Sequence, residues 1–278
     1  MPRALVLLVT GAVWALMMAA LVTRELVPYL EYQTAPSYRS LIQAGPRCEY
    51  VRRGIFEGPA RIGESQTLVH PGERAGTYVV TRFQMSMRNV PRIGVIDVDV
   101  RSEILIDASY QIDTFRFKGK VSLFPIEAEG RRVGDSLAFT VSFGDVKREG
   151  AIPFEKGMTL AGSMLPQHSM GRPRRGMKWM PTMVDFDIAQ GLKIVKIFAS
   201  VAEERATIDF RGQKVECYQV EFRREPTKEM HFALLWLDES GTVLREQFEM
   251  FGYPYKIDLE ERREISTEET ARLILELK

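Results

Sequence analysis

Ile96-Asp97-Val98-Asp99-Val100-Arg101-Ser102-Glu103-Ile104-Leu105-Ile106 decides the fold. Ile96, Val98, Val100, Ile104 and Ile106 fall on one side of an extended chain, and Asp97, Asp99, Arg101 and Glu103 on the other. That is the period-two alternation of a strand with one buried face. The pattern continues on both sides. Thr77 to Met87 sets Val79, Phe83, Met85 and Met87 against Arg82, Gln84 and Ser86. Phe115, Phe117, Val121 and Leu123 oppose Thr114, Arg116, Lys118 and Lys120, and Leu137, Phe139, Val141 and Phe143 oppose Ser136, Ala138, Thr140 and Ser142. Short turn sequences, Glu129-Gly130-Arg131 and Gly144-Asp145, join these runs, so antiparallel neighbours are the economical topology. Strand patterns return over Leu192 to Val201, Glu204 to Phe210, Val215 to Arg223, His231 to Leu237, Thr242 to Phe251 and Tyr255 to Glu260. Ser266-Thr267-Glu268-Glu269 has capping-box spacing ahead of a short terminal helix over Ala271 to Leu277. The chain is thus mainly β, with roughly ten strands around one core.

A second feature sets the compartment. Ala4 to Val22 carries no charge and as a helix would be roughly 28 Å long, enough to span a bilayer's hydrocarbon core. A cleaved signal peptide is the competing reading, but the apolar run is long and no small-x-small triplet closes it, which favours a retained transmembrane helix. Arg24 and Glu25 mark the interface, and Leu26, Val27, Tyr29, Leu30 and Tyr32 continue it amphipathically. With Arg3 and the terminal amine on the other side, the N-terminus is cytoplasmic and the body periplasmic or extracytoplasmic. Residues 1–33 form the anchor, 34–46 a short helix or stalk with Ser37 as N-cap and Gly45 as stop, and 47–278 a single β-rich domain.

Composition excludes several classes. In 278 residues, 38 Lys and Arg balance 37 Asp and Glu, so there is no basic excess of the kind that nucleic-acid binding requires. Two cysteines, Cys48 and Cys217, can form at most one bridge, and each lies in a strand-like run where a buried thiol is ordinary.

The middle, Gly157 to Pro181, breaks the rhythm with Gly157, Gly162, Pro166, Gly171, Pro173, Gly176 and Pro181, leaving a long irregular loop with one helical turn near Ala161 to Leu165. Met158, Met164, Met170, Met177, Met180 and Met183 cluster there with His168. Thioethers and imidazole suit Cu(I), yet flexible methionines more often line an adaptable apolar surface. Arg172, Arg174, Arg175 and Lys178 add a basic rim suited to a lipid headgroup. The candidate ligand-binding residues are therefore Met164, Met170, Met177, Trp179, Met180, Arg172, Arg174, Arg175 and Lys178, as lid or lip of a sheet; no metal or cofactor is assigned.

Chemistry is otherwise sparse. His70, His168 and His231 are the three histidines, and no nucleophile elbow, HExxH or phosphate-cradling loop occurs. Asp185 and Asp187 are close enough for a metal or acid–base pair, though a solvated loop end explains them as well. A non-enzymatic role follows.

The second half carries Gly176-Met-Lys-Trp179-Met-Pro181, Gly212-Gln-Lys-Val-Glu-Cys-Tyr218 and Leu235-Trp236-Leu-Asp238-Glu-Ser-Gly241-Thr-Val-Leu244-Arg245-Glu246. This arrangement resembles the periplasmic half-barrel domains similar to the lipoprotein carrier LolA. It is closest to single-pass membrane proteins of unknown function that share the Trp-x-Asp-x-x-Gly-x-Val-Leu-Arg-Glu hairpin. The resemblance covers residues 45 to 265 in architecture and 176 to 251 in motif. It implies a strongly curved antiparallel sheet, a half-barrel, whose apolar concave face in carriers holds acyl chains. For this chain the expectation is a membrane-tethered binding module for an apolar or lipid-like ligand, or alternatively a scaffold subunit of a cell-envelope complex that holds a protein partner.

Overall fold

The computed structural model describes residues 13–22, 33–34, 48–72, 76–90, 94–160, 172–187, 191–225, 231–250 and 253–277. The first half supplies β1 (Gln33–Thr34), β2 (Cys48–Glu57), β3 (Ala60–Pro71), β4 (Thr77–Val90), β5 (Gly94–Ile106), β6 (Ile112–Val121), β7 (Phe124–Val133), β8 (Ser136–Phe143) and β9 (Val146–Pro153). The second supplies β10 (Thr159–Leu160), β11 (Lys178–Met180), β12 (Thr182–Asp187), β13 (Gly191–Lys196), β14 (Phe198–Phe210), β15 (Gln213–Arg223), β16 (Ala233–Leu237), β17 (Val243–Met250) and β18 (Tyr253–Ile265), before a helix over Thr267–Leu277.

One 15-stranded sheet runs β1-β11-β14-β15-β16-β17-β18-β2-β3-β4-β5-β6-β7-β8-β9, and β10-β12-β13 form a smaller one. The large sheet is antiparallel except where β1 meets β11. Laid flat at about 4.8 Å per strand, it would be roughly 67 Å wide and leave an apolar face bare. Instead Trp179, Ala199 and Val201 near one edge, Ile55 and Ile257 in the middle, and Leu137, Phe139 and Val141 near the other edge belong to one buried core. The sheet is therefore wrapped around its own inner face. Met158, Leu160, Met183, Val184 and Leu192 join that core from the smaller sheet, while the edge strands β1 and β9 are not paired with each other. The result is barrel-like and unclosed.

Glycine permits the curvature. A Cβ on Gly119 would lie 2.2 Å from the Asp99 carbonyl oxygen and 2.7 Å from the Val100 Cα, both backbone atoms of the neighbouring strand, so β6 bends into β5 where no side chain fits. Two smaller cores accompany the main one. The tip of the β14–β15 hairpin folds over Trp236, Leu244 and Leu259 with Ile208 and Cys217. The terminal helix lays Leu273 and Leu277 on Tyr50, Leu68 and Val80, its first turn capped by Ser266 Oγ, which accepts from the Glu269 amide at 3.1 Å.

Several expectations need correction. Glu129-Gly130-Arg131 is not a turn but the middle of β7, because the glycine is needed where a Cβ would strike the Phe115 ring at 2.2 Å. Leu123 does not face the core; it is 91% exposed at the β6–β7 tip. Leu192 to Val201 is two strands in different sheets, broken at Ile197. Thr34 belongs to β1 rather than to a stalk helix, the rest of which lies outside the described residues. The bridge that the sequence left open is not formed, Cys48 and Cys217 both being free thiols. Of the expected span Ala4 to Val22, residues 13–22 are helical and 4–12 lie outside the described residues; no helix among the described residues is long and apolar enough to cross a membrane.

Candidate functional site

The irregular middle enters the fold through its last residues. Trp179 is buried in the main core because β11 carries it between β14 on one side and β1 on the other: Lys178 and Trp179 pair with Ser200 and Ala199, while Gln33 and Thr34 pair with Trp179 and Met180. The Val201 amide donates to the Met177 carbonyl at 2.9 Å. Met177 packs partly against the core, Lys178 and Met180 are half-buried, and Arg172, Arg174 and Arg175 are exposed. The structure thus brings Met177, Lys178, Trp179 and Met180 together at a sheet edge next to the three arginines. Met164, Met170 and His168 lie outside the described residues. Met158 and Met183 are core side chains, which removes them from any exposed thioether cluster. Asp185 sits opposite Lys193 in the β12–β13 register, its carboxylate 3.9 Å from the Lys193 ammonium.

The inner face holds a site that sequence reasoning passed over. Arg53 shares one face of β2 with Val51 and Ile55 and is 1% exposed, its guanidinium donating to the Val243 carbonyl at 3.2 Å. Glu246 on β17 pairs with the core residues Leu235 and Ile257, so its carboxyl also points inward. Burial pushes Glu246 up to about 7, with the Arg53 charge opposing the shift, and burial lowers Arg53 to about 10. From Arg53 a polar stripe continues around the wall. Ser65 is its register partner, Thr67 pairs with Thr81, and Thr81 with Ser102. Thr67 and Thr81 share a hydrogen bond of 3.0 Å between hydroxyls, whereas the buried hydroxyls of Ser65 and Ser102 have no hydrogen-bond partner among the described residues. The available signal was Arg53 at an in-facing register position and the final Glu246 of the hairpin motif, both of which break an apolar alternation.

Around this stripe many of the described in-facing side chains are closely packed. Ile55, Ile106, Ile112, Leu137, Val220, Leu237 and Ile257 have no accessible surface, so the protein's own side chains occupy the space they border. Open grooves lie on the outer wall instead. One, of about 440 Å³, is bordered by Arg82, Arg101 and Lys118, three cations opposite one another across β4, β5 and β6. Asp99 and Glu103 offset them, at 3.2 Å from Arg82 and 2.5 Å from Arg101.

No protein-family model and no curated protein matches the chain. Among solved structures it is similar to a β-barrel-like protein of the domain of unknown function DUF1849 from Brucella abortus. Identity is 10%, the TM-score is 0.48, and the alignment covers 79% of this chain and 98% of that one. The comparisons link the chain to no lipoprotein-carrier family.

Glu246 gains or loses a proton near neutral pH beside the apolar Leu235 and Ile257 and under the influence of Arg53.

Proposed function

We propose that this chain is a non-catalytic, membrane-tethered extracytoplasmic binding module that engages a cell-envelope protein partner through its outer surface. The observation that carries the reading is the contrast between two parts. Residues 13–22 form a helix whose Trp14, Leu16, Met17 and Leu21 are 55–71% exposed, whereas the β body has buried its inner face against itself. An apolar helix left bare on all sides suits lipid, and a barrel whose own side chains occupy much of its described inner face leaves its walls, rim and edges for recognition. On this reading residues 1–33 hold the protein at the membrane, with its N-terminus cytoplasmic, and 47–278 form the periplasmic domain.

A second reading places an apolar or lipid-like ligand at the lip formed by Met177, Lys178, Trp179 and Met180. Half-buried methionines beside the exposed Arg172, Arg174 and Arg175 favour it, since such a site would offer an apolar surface and cations for a headgroup.

Two measurements test these readings. The full chain should remain in membranes through alkaline carbonate extraction, and a chain lacking residues 1–22 should be released; release of both would end the tether reading. Native mass spectrometry of detergent-purified protein should show no added mass under surface recognition, and acyl-sized additions under the second reading.

A further inference from the structure

Exposed apolar side chains on the β body are distributed unevenly. Val95, Leu123, Phe124 and Val146 are large, apolar and exposed, and all four lie at the β4–β5, β6–β7 and β8–β9 hairpin tips. The antiparallel registers put these three tips at one end of the sheet, with successive tips about 10 Å apart, two strand spacings. Backbone hydrogen bonds fasten two of the tips to the neighbouring strand: the Ser122 amide donates to the Asp97 carbonyl of β5 at 2.5 Å, and the Gly144 amide to the Pro125 carbonyl of β7 at 2.9 Å. Phe124 stacks on Phe143 with ring centroids 5.5 Å apart. Ser122 takes a φ of 54°, a left-handed conformation that costs a non-glycine residue energy, and with it Leu123 is turned fully outward.

We propose that this ridge is seated in the interfacial layer of the membrane that holds the N-terminal helix, so that the barrel stands on the bilayer by this end; the inference rests on the tether reading above. The chain path supports it. β1, the first strand after the helix, pairs with β11 at the same end, since Trp179 pairs with Ala199, next to the first residue of β14, and that residue, Phe198, pairs with Arg223, the last of β15. The ten intervening residues, 23–32, extend at most about 36 Å, which keeps this rim near the bilayer. Directly behind the tips stand Arg88, Lys120 and Lys147 with Asp97, all exposed, while Asp145 lies in the β8–β9 turn itself, charges flanking an apolar edge as in interfacial segments. The opposite end is different. Among the described residues its turns present Asp107, Arg211, Asp238 and Ser240, with Val133 as the large exposed aliphatic beside them.

The test uses the full chain, one copy per phosphatidylcholine–phosphatidylglycerol nanodisc. Leu123→Cys and Val133→Cys are each made in a Cys48→Ser background and labelled with an environment-sensitive fluorophore, buried Cys217 staying unlabelled. Spin-labelled lipid should quench the probe at position 123 about twofold and leave that at 133 unchanged, as interfacial insertion of one end requires. Trp14 quenching, measured against Trp14→Phe, reports the tether independently. Trp14 quenched with position 123 unquenched overturns the ridge proposal and keeps the tether. Trp14 unquenched overturns both. Quenching at 123 that appears only in discs holding two copies assigns the ridge to a contact between copies and also overturns the proposal.

Discussion

Glu246 and Arg53 place opposite charges on the inner face of the wrapped sheet, with β18 lying between their strands. Neither side chain has the apolar character of its neighbours, and each tunes the other: the guanidinium restrains the rise of the carboxyl, and the carboxylate restrains the fall of the guanidinium. Desolvation outweighs both attractions, as it commonly does for ions taken out of water.

The first prediction concerns pH. Glu246 titrates at about 7 in the fold against an ordinary 4.5, so between those values the folded protein binds more protons than the unfolded chain, and stability falls as pH rises through that window. Glu246→Gln cannot ionise. Its urea midpoint should equal that of the wild type at pH 5 and correspond to roughly 2–3 kcal/mol more stability at pH 8. A variant less stable than wild type at pH 8 would show that the ion pair outweighs its desolvation.

Removing the cation should act the other way. Arg53→Ala leaves the half-buried Glu246 carboxylate without its partner and should cost about 1–3 kcal/mol at pH 8, less at pH 5, where the carboxyl is already neutral. The double variant Arg53→Met, Glu246→Leu should recover most of that loss. Thermal melts at the two pH values compare all three.

The curvature of the wall can be tested at one atom. Gly119→Ala puts a methyl 2.2 Å from the Asp99 carbonyl oxygen, and because that obstacle is backbone it should cost about 2–4 kcal/mol. A melting temperature within a degree of wild type would mean that the β5–β6 pair is flatter than described.

A smaller effect is expected at the terminal helix. Ser266→Ala removes the hydroxyl that accepts from the Glu269 amide and should cost about 1 kcal/mol. Chemical denaturation should show it, with Ser266→Asp restoring stability.

Much of the wall was legible in sequence. Ile96, Val98, Val100, Ile104 and Ile106 are buried as their alternation demands, because a strand's side-chain direction is fixed residue by residue by the pleat. The turns Gly144-Asp145, Arg211-Gly212 and Asp238 to Gly241 are where their chemistry puts them. Gly130 and Leu123 misled for a shared reason. A glycine serves equally for a turn or for a close approach, and an apolar residue that continues a strand pattern is indistinguishable from one just past its end until the partner strand sets the register.

Local order was thus determined by the sequence alone: period-two strands, their hairpin turns, the apolar helix near the N-terminus and the capped helix at the other end. Only the tertiary structure decided that the sheet wraps around one core, that Trp179 is a core residue at a seam with β1, that Arg53 and Glu246 face the same interior from either side of β18, and that Leu123 and Phe124 lie at the same end of the sheet as Val95 and Val146. Those relationships join residues far apart in the chain, as with Arg53 and Val243, 190 positions apart. They depend on how a many-stranded sheet twists and closes upon itself, a summed consequence of every strand pair that no single stretch of sequence contains.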